Sequence, residues 1–410
     1  MKLIVERTER LSGAVLAPPS KSHTHRAILL ASLAAGTSTI ENPLMSEDIR
    51  ATLDACKKIG AKFEHGPALK ITGVGGKPTA SSSVIDVHNS GTTLRFMTAV
   101  SALCGGTTKL TGDPSIQARP IGPLLKSLTD LGAKGAVSVK GNGCPPVEIT
   151  GRMTGGKTKI SGESSQYLSG LLMACPLAQG TSEIEVKDLN SRPYIKMTLE
   201  HLERAGANLY NEDLKRFRID GGQSFNSFKY KVPGDYSSAA FLIVAAKITG
   251  STIKVFGLEQ TDTQGDKAII SILQQMRSGN KREIDLRDTP DLLPVTAVLG
   301  CFSDGTTVLK NAPHARSKES DRISSLCKEL KKMGADIEER PDGLVVSRSE
   351  LKGASLDGHR DHRVVMALAV AALIAEGKSI INDADTLSTS YPGFVADLVG
   401  LGAKMKVVGK

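Results

Sequence analysis

The sequence predicts an α/β (α+β) protein of two domains, each built from three βαβαββ units, and three observations carry that reading. A Gly followed by small polar residues and an apolar strand recurs six times: "AGTSTI" at Gly36, "GGTTKL" at Gly106, "QGTSEI" at Gly180, "TGSTIKV" at Gly250, "DGTTVL" at Gly305 and "EGKSII" at Gly377. A second mark follows 24 to 29 residues later, as "IGAKF" at Gly60, "LGAKG" at Gly132, "AGANL" at Gly206, "MGADI" at Gly334 and "LGAKM" at Gly402. The length of 410 residues exceeds what one ordinary core organises, so a repeat architecture or two domains is expected.

Each first mark follows an Ala/Leu/Val-rich stretch long enough for a helix, and Gly suits the C′ position where a helix ends. The second mark closes another helix in the same way. The β-branched runs and turn signals between marks read as strands. Only the fourth copy departs, its second mark degenerating to "MRSGNK" at 276–281. A unit this small cannot cover its own apolar faces and must pack on its neighbours, three to a domain. The boundary is expected where the fourth helix is about to begin, giving domains of 14–230 and of 1–13 plus 231–410. The first strand, "KLIVER", is expected to pair with the second half.

Composition narrows the function. A net charge of +9 fits nucleic acid, an acidic surface or small anionic substrates. With no Trp, 9 Phe, 6 Tyr and no long basic run, the aromatic interleaving of single-strand binders is missing, and nucleic acid is not expected. The longest apolar run, Val364 to Ala375, is too short to span a membrane, and "MKLIVERTER" is too charged for a signal peptide, so a cytoplasmic protein without a membrane partner is expected. Cys56, Cys104, Cys144, Cys175, Cys301 and Cys327 form no CxxC pair and read as buried thiols.

The six helix N-termini hold the unusual residues. They are "PSKSHTHR" (Lys21, Ser22, Arg26), "HNSGTTLRF" (Asn89, Ser90, Gly91, Thr92, Arg95), "GESSQY" (Ser164, Ser165, Gln166), "GDYSSA" (Asp235, Ser237, Ser238), "DTPDLLP" (Asp291) and "GHRDHR" (Asp361, His362, Arg363). Ser, Asn and Asp there are explained by N-capping alone, the favoured reading for Asp235, Ser237 and Ser238. Capping does not explain Lys21, Arg26 and Arg363, because the helix dipole is already positive at that end. If these N-termini line the facing sides of two domains, bare N–H groups, hydroxyls and cations meet across a cleft suited to phosphate and carboxylate ligands. Such clustered cations are expected to repel one another until anions arrive. Arg119 in "ARPIGPL", and Lys318, Glu319 and Arg322 in "SKESDR", add to this set.

The motifs "PSKSHTHR", "NSGTTLRF", "ARPIGPL", "SSQY", "SRPYIKMTL", "TPDLLP", "SKESDR" and "DGHRDHR" together resemble the 5-enolpyruvylshikimate-3-phosphate synthase family, in order and spacing, across essentially the whole chain. The resemblance implies an enolpyruvyl transferase fold, an inside-out α/β barrel with helices inside and sheets outside. It also implies a double hinge, near 13–19 and 228–233. The implied reaction moves the enolpyruvyl group of phosphoenolpyruvate onto shikimate 3-phosphate through a tetrahedral intermediate. By the same resemblance, Lys21, Ser22, Arg26, Ser164, Ser165, Gln166, Ser191, Tyr194, Asp291 and Lys318 hold shikimate 3-phosphate. Lys21, Asn89, Gly91, Thr92, Arg119, Gln166, Glu319, Arg322 and Arg363 hold phosphoenolpyruvate. Asp291 is expected to act as base, with Glu319 and Lys21 transferring protons at carbon and the leaving group. No cofactor and no metal is expected, the partners are the two small substrates, and a monomer is expected. Three positions depart from the family pattern: Thr389 stands where a Lys is usual, with Lys404 or Lys406 as possible substitutes; His314 replaces an Asn; and Phe96 replaces a Pro.

Other readings are weaker. A UDP-sugar enolpyruvyl transferase carries a reactive Cys where this chain has Pro114. "GRMTGGKT" at 151–158 satisfies the P-loop pattern but is followed by a short strand, not a helix. His23, His25, His359 and His362 show no metal-site spacing.

Overall fold

The computed structural model describes residues 1–277 and 281–409. It forms two compact units: an inserted unit, Pro19–Pro233, and a flanking unit made of Met1–Pro18 with Gly234–Lys410. The inserted unit holds helices α1 (Lys21–Leu33), α2 (Glu47–Lys58), α3 (Gly91–Ser101), α4 (Gly122–Asp130), α5 (Ser165–Ala174) and α6 (Arg192–Arg204). The flanking unit holds α7 (Tyr236–Ile248), α8 (Ile269–Gln275), α9 (Leu293–Phe302), α10 (Arg322–Lys332), α11 (His362–Ala372) and α12 (Phe394–Gly400).

The first helix of each repeat is apolar all round and the second is amphipathic, and burial follows that difference. Every residue of α1 from His23 to Leu33 is buried, as is all of α11. In α2, by contrast, Ile49, Leu53 and Cys56 face inward while Lys57 and Lys58 face solvent. The strands lie outside, one face covered and one wet, as the alternation of Ala68–Thr72 shows. Each unit has its own core.

Complete repeats share one sheet order. In the third, Gly156–Ser161 pairs in parallel with Ser182–Lys187, which pairs antiparallel with Arg216–Ile219, and Tyr210–Glu212 forms the edge. The second-mark glycines stand at helix C′ positions. Gly132 (φ 87°) follows the cap Leu131 of α4, its N–H donating to the carbonyl of Thr129 (3.0 Å) while that of Ala133 donates to Leu128 (3.0 Å), a Schellman closure. The first marks divide: Gly250 (φ 61°) stands at the C′ position of α7, its N–H donating to the carbonyl of Lys247 (3.2 Å), whereas Gly36 and Gly106 do not close a helix. α1 ends at Leu33 and α3 at Ser101, short of Gly36 and Gly106, so these glycines mark the turn into the next strand, not the helix end.

Two departures from six equal βαβαββ units have plain causes. Among the described residues, the fourth repeat has a sheet of two strands, Ser12–Leu16 with Thr252–Phe256, against four in the other five sheets. Its spacing to the next first mark, from Gly250 to Gly305, is the shortest of the series, leaving too little chain for the closing hairpin. Of its degenerate second mark, residues 278–280 lie outside the described residues.

The other departure is an exchange of leading strands. Ser12–Leu16 precedes α1 in the chain yet pairs with Thr252–Phe256, after α7; Lys229–Lys231 precedes α7 yet pairs with Thr37–Glu41, after α1. The expected boundary at residue 14 therefore cuts a strand, and pairing moves the divisions to 18/19 and 233/234. The first strand, Lys2–Glu6, lies between Lys378–Ile381 and Met405–Val408 and completes the sixth sheet.

Candidate active site

In the inserted unit, Ser20, Ser90 and Ser164 cap α1, α3 and α5, each Oγ accepting from a backbone N–H of the first turn. Asp48, at the start of α2, accepts from Lys21 Nζ at 2.9 Å. Part of the charge that seemed misplaced on α1 is therefore answered within the protein. Arg26 lies deeper. Its guanidinium donates to the carbonyls of Ser22 (3.0 Å) and Tyr194 (3.1 Å) and to the hydroxyls of Thr198 (2.8 Å) and Ser169 (3.3 Å), tying α1 to α5 and α6. Burial lowers this guanidinium to about 10, against a small opposing pull from Tyr194.

Two guanidiniums meet at the start of α3. A Cβ on Gly91 would stand 2.6 Å from Arg95 NH1 and 2.8 Å from Arg119 NH1, so no larger residue fits without moving a guanidinium. Arg95 donates to the carbonyls of Gly91 (3.2 Å) and Pro120 (3.3 Å) and lies over the Tyr167 ring. Arg119 donates to Asn89 Oδ1 (3.0 Å) and Ser115 Oγ (3.3 Å). Gln166 Nε2 donates to Thr92 Oγ1 at 2.8 Å, joining the first turns of α5 and α3. Two guanidiniums beside a helix N-terminus make an anion site. Ser165 is buried, and Ser191, at φ 56°, precedes α6 without spending its hydroxyl on the cap.

The flanking unit is built around carboxylates. Arg322, 1% exposed in its side chain, donates Nε to Asp361 Oδ2 (2.8 Å), NH1 to Asp291 Oδ1 (2.7 Å) and NH2 to Glu319 Oε2 (2.6 Å). Burial lowers the Arg322 guanidinium, but Asp361, Glu319 and Asp291 outweigh it and hold the group above its ordinary value. Asp291 also meets Arg363 NH2 at 3.3 Å and Lys318 Nζ at 3.8 Å. Burial lowers the Lys318 ammonium, with Asp291 opposing. Asp361 caps α11, its Oδ1 accepting from the N–H of Arg363 (2.9 Å), and Ser320 Oγ donates to its Oδ2 (3.1 Å). Asp235 caps α7.

Behind this cluster, Glu329 of α10 is fully buried and accepts from Lys332, from the N–H of Asp357 and from His359 Nε2 (3.0 Å). It anchors the loop that carries Asp361. His314 lies against Lys318 and Asp291, both ring nitrogens buried without a hydrogen-bond partner; burial and Lys318 lower it to about 4.

One expectation needs correction. Of Lys21, Arg26, Arg119, Lys318, Arg322 and Arg363, expected to repel one another, Lys21, Lys318, Arg322 and Arg363 face carboxylates of Asp48, Asp291, Glu319 or Asp361, so mutual repulsion does not describe these four. Asp48 gave no signal in sequence beyond an ordinary first-turn acid, and Arg95 was singled out at its helix N-terminus without a role. The P-loop pattern fails: Lys157 lies on the strand Gly156–Ser161, exposed and paired with Glu183. His23 joins His201 and Tyr230 in a buried cluster, and His25 bonds Thr52. Thr389 ends a 3-10 turn at Ala384–Thr389 that packs on α11, whereas Lys406 faces solvent on an edge strand. Burial pushes the thiols of Cys56, Cys175 and Cys301 up to about 12, which leaves them inert. The described residues form no cluster of three His, Cys, Asp or Glu fit to hold a metal, and no helix is long and apolar enough to cross a membrane.

A family model described as EPSP synthase (3-phosphoshikimate 1-carboxyvinyltransferase) matches residues 5–398. The chain is 49% identical to a 3-phosphoshikimate 1-carboxyvinyltransferase from Methanothrix thermoacetophila, over 97% of both chains. It is 45% identical to one from Acetivibrio thermocellus, over 98% of both. Among solved structures it resembles an EPSP synthase from Acinetobacter baumannii, with a TM-score of 0.83, 27% identity and complete coverage of both chains.

Proposed function

The chain belongs to the EPSP synthase (3-phosphoshikimate 1-carboxyvinyltransferase) family, and from that premise we propose how its residues divide the reaction. The enzyme transfers the enolpyruvyl group of phosphoenolpyruvate to a hydroxyl of shikimate 3-phosphate, with release of phosphate, in aromatic amino acid biosynthesis. Its substrates are therefore two small phosphorylated anions.

In the reading we propose, Ser22, Arg26, Ser164, Ser165, Ser191 and Tyr194 seat shikimate 3-phosphate, with Lys21, Gln166 and Lys318 alongside. Asn89, Gly91, Thr92, Arg119, Gln166 and Lys21 take phosphoenolpyruvate from the inserted unit, and Arg95 joins them because it shares Gly91 with Arg119. Arg363 and Arg322 take it from the flanking unit. Arg322 also orients Asp291 and Glu319, and Arg26 chiefly sets α5 and α6 against α1.

The chemistry runs by addition and elimination. The methylene carbon of phosphoenolpyruvate gains a proton, the substrate hydroxyl loses its proton to Asp291, and a C–O bond forms at the cationic carbon. In the second step the new methyl group returns a proton and the C–O bond to phosphate breaks. Glu319 and Lys21 handle the carbon proton and the departing phosphate. The observation that carries this is the Asp291 carboxylate held at once by Arg322, Arg363 and Lys318: a base fixed in place beside groups that attract phosphate. No cofactor or metal enters any step. A monomer of 43.3 kDa acting in the cytoplasm completes the proposal, and light scattering tests the mass. The decisive assay measures phosphate release with both substrates and with each omitted in turn; release without shikimate 3-phosphate would remove the reading.

A further inference from the structure

One buried acid has no place in that scheme. Asp266 lies in the 3-10 turn Gly265–Ala268 and is 2% exposed. Ser237 Oγ, in the first turn of α7, donates to its Oδ2, while Oδ1 is buried with no hydrogen-bond partner. The turn is not loosely placed. Gln264 accepts from the N–H of Tyr236 (2.9 Å) and donates to the carbonyl of Gly234 (2.8 Å), fixing the segment to the start of α7. α7 packs in turn against α11 and against the 3-10 turn bearing Asp291. A carboxylate buried with one oxygen unsatisfied is expensive, whereas the neutral acid is much less so.

We propose that Asp266 is a positioning residue of the enolpyruvyl-transfer site: seated on Ser237, it must be neutral for Arg363 to be held against Asp291 and presented to an anionic substrate. The inference rests on the assignment of Arg363 to phosphoenolpyruvate and of Asp291 as base. Burial pushes the Asp266 carboxyl up to about 7; Asp291 adds to this, Arg363 and the Ser237 hydroxyl pull down, and Asp235 pushes up. On its own segment, Asp262 bonds Gln264, and Lys267 is turned to the carbonyls of Gln260 and Asp262. When Asp266 ionises, a second negative charge attracts Arg363 and repels an incoming phosphate or carboxylate. Affinity for phosphoenolpyruvate is then lost as pH rises through neutrality.

The test is KM for phosphoenolpyruvate from about pH 6.5 to about 9, a range in which substrate phosphates are already largely ionised. Wild-type KM should rise about tenfold across the range, with kcat changing less, as expected for one added charge within electrostatic reach of a cation. Asp266→Asn, a fixed neutral mimic, should flatten that rise. Ser237→Ala should keep the rise but move its midpoint upward, since the hydroxyl favours the ionised form. A wild-type profile in Asp266→Asn overturns the proposal. If that variant does not fold, an unmoved midpoint in Ser237→Ala overturns it. Failure of the underlying assignment reads differently: Asp291→Asn or Arg363→Met would then keep normal kinetics.

Discussion

In the inserted unit, Arg95 and Arg119 flank Gly91 and donate to carbonyl, amide and hydroxyl oxygens; in the flanking unit, Arg322 donates to the carboxylates of Asp291, Glu319 and Asp361. Both arrangements stand at helix N-termini produced by the same repeat. The difference lies in what answers the cation. A guanidinium leaning on neutral oxygens keeps its field for a ligand, so the inserted unit is suited to hold anions. A guanidinium shared among carboxylates loses that field and orients acids and bases, so the flanking unit is suited to move protons. In the proposed division, one scaffold yields a receptor and a proton-handling surface.

The largest expected effect tests the proton side. Asp291→Asn should lower kcat by about a thousandfold, the scale of a lost general base, with KM for shikimate 3-phosphate within about threefold of wild type. Near-normal phosphate release would break the comparison.

Asp361→Ala should cost about 3 kcal/mol in urea denaturation, because it strips a buried guanidinium of one partner and α11 of its cap. A loss below about 1 kcal/mol would mean that Arg322 is held by Asp291 and Glu319 alone.

On the receptor side, Lys21→Met should raise KM for phosphoenolpyruvate about thirtyfold, the worth of one charge-assisted hydrogen bond, with a smaller loss of stability from leaving Asp48 buried without its cation. A stability loss larger than the KM effect would make the Lys21–Asp48 pair structural.

Gly91→Ala should displace Arg95 or Arg119 and raise KM for phosphoenolpyruvate about tenfold, without a matching change for shikimate 3-phosphate. Glyphosate, which the family resemblance and the retained Gly91 imply as a ligand of the phosphoenolpyruvate site, should inhibit the wild type and weaken in parallel; equal KM changes for both substrates would spread the damage beyond the anion site. Smallest of all, Lys157→Ala should leave both the kinetics and the urea midpoint at wild-type values, since its exposed pair with Glu183 is worth little. ATP consumption by either form would contradict the fold around it.

Much of this was legible because it is local. The second-mark glycines were recognisable as helix ends, since a C′ residue at positive φ favours Gly wherever the rest of the chain goes. The helix starts carrying Lys21, Asn89, Gln166, Asp291 and Arg363 were legible too, through capping residues and misplaced cations. Asp48, Asp266 and Glu329 were not. Each is an ordinary acid in sequence, and its importance comes from burial against Lys21, against Ser237, or behind the loop that carries Asp361. Arg26 and Arg322 were visible as cations, but beside the local Ser22 and Glu319 they are held by Thr198, Ser169 and Tyr194 and by Asp291 and Asp361, from segments far away in sequence.

The sequence by itself determined the repeat, the order of helices and strands, the chemistry of the helix N-termini and the family. Each of these depends on a short stretch of chain and its own backbone geometry. Only the tertiary structure decided that the leading strands are exchanged, that the fourth sheet stops at two strands, and that two similar sets of cations end with opposite partners. Strand pairing and charge compensation join residues tens to hundreds of positions apart. The free energy that selects them arises when surfaces meet and exclude water, which no local pattern records.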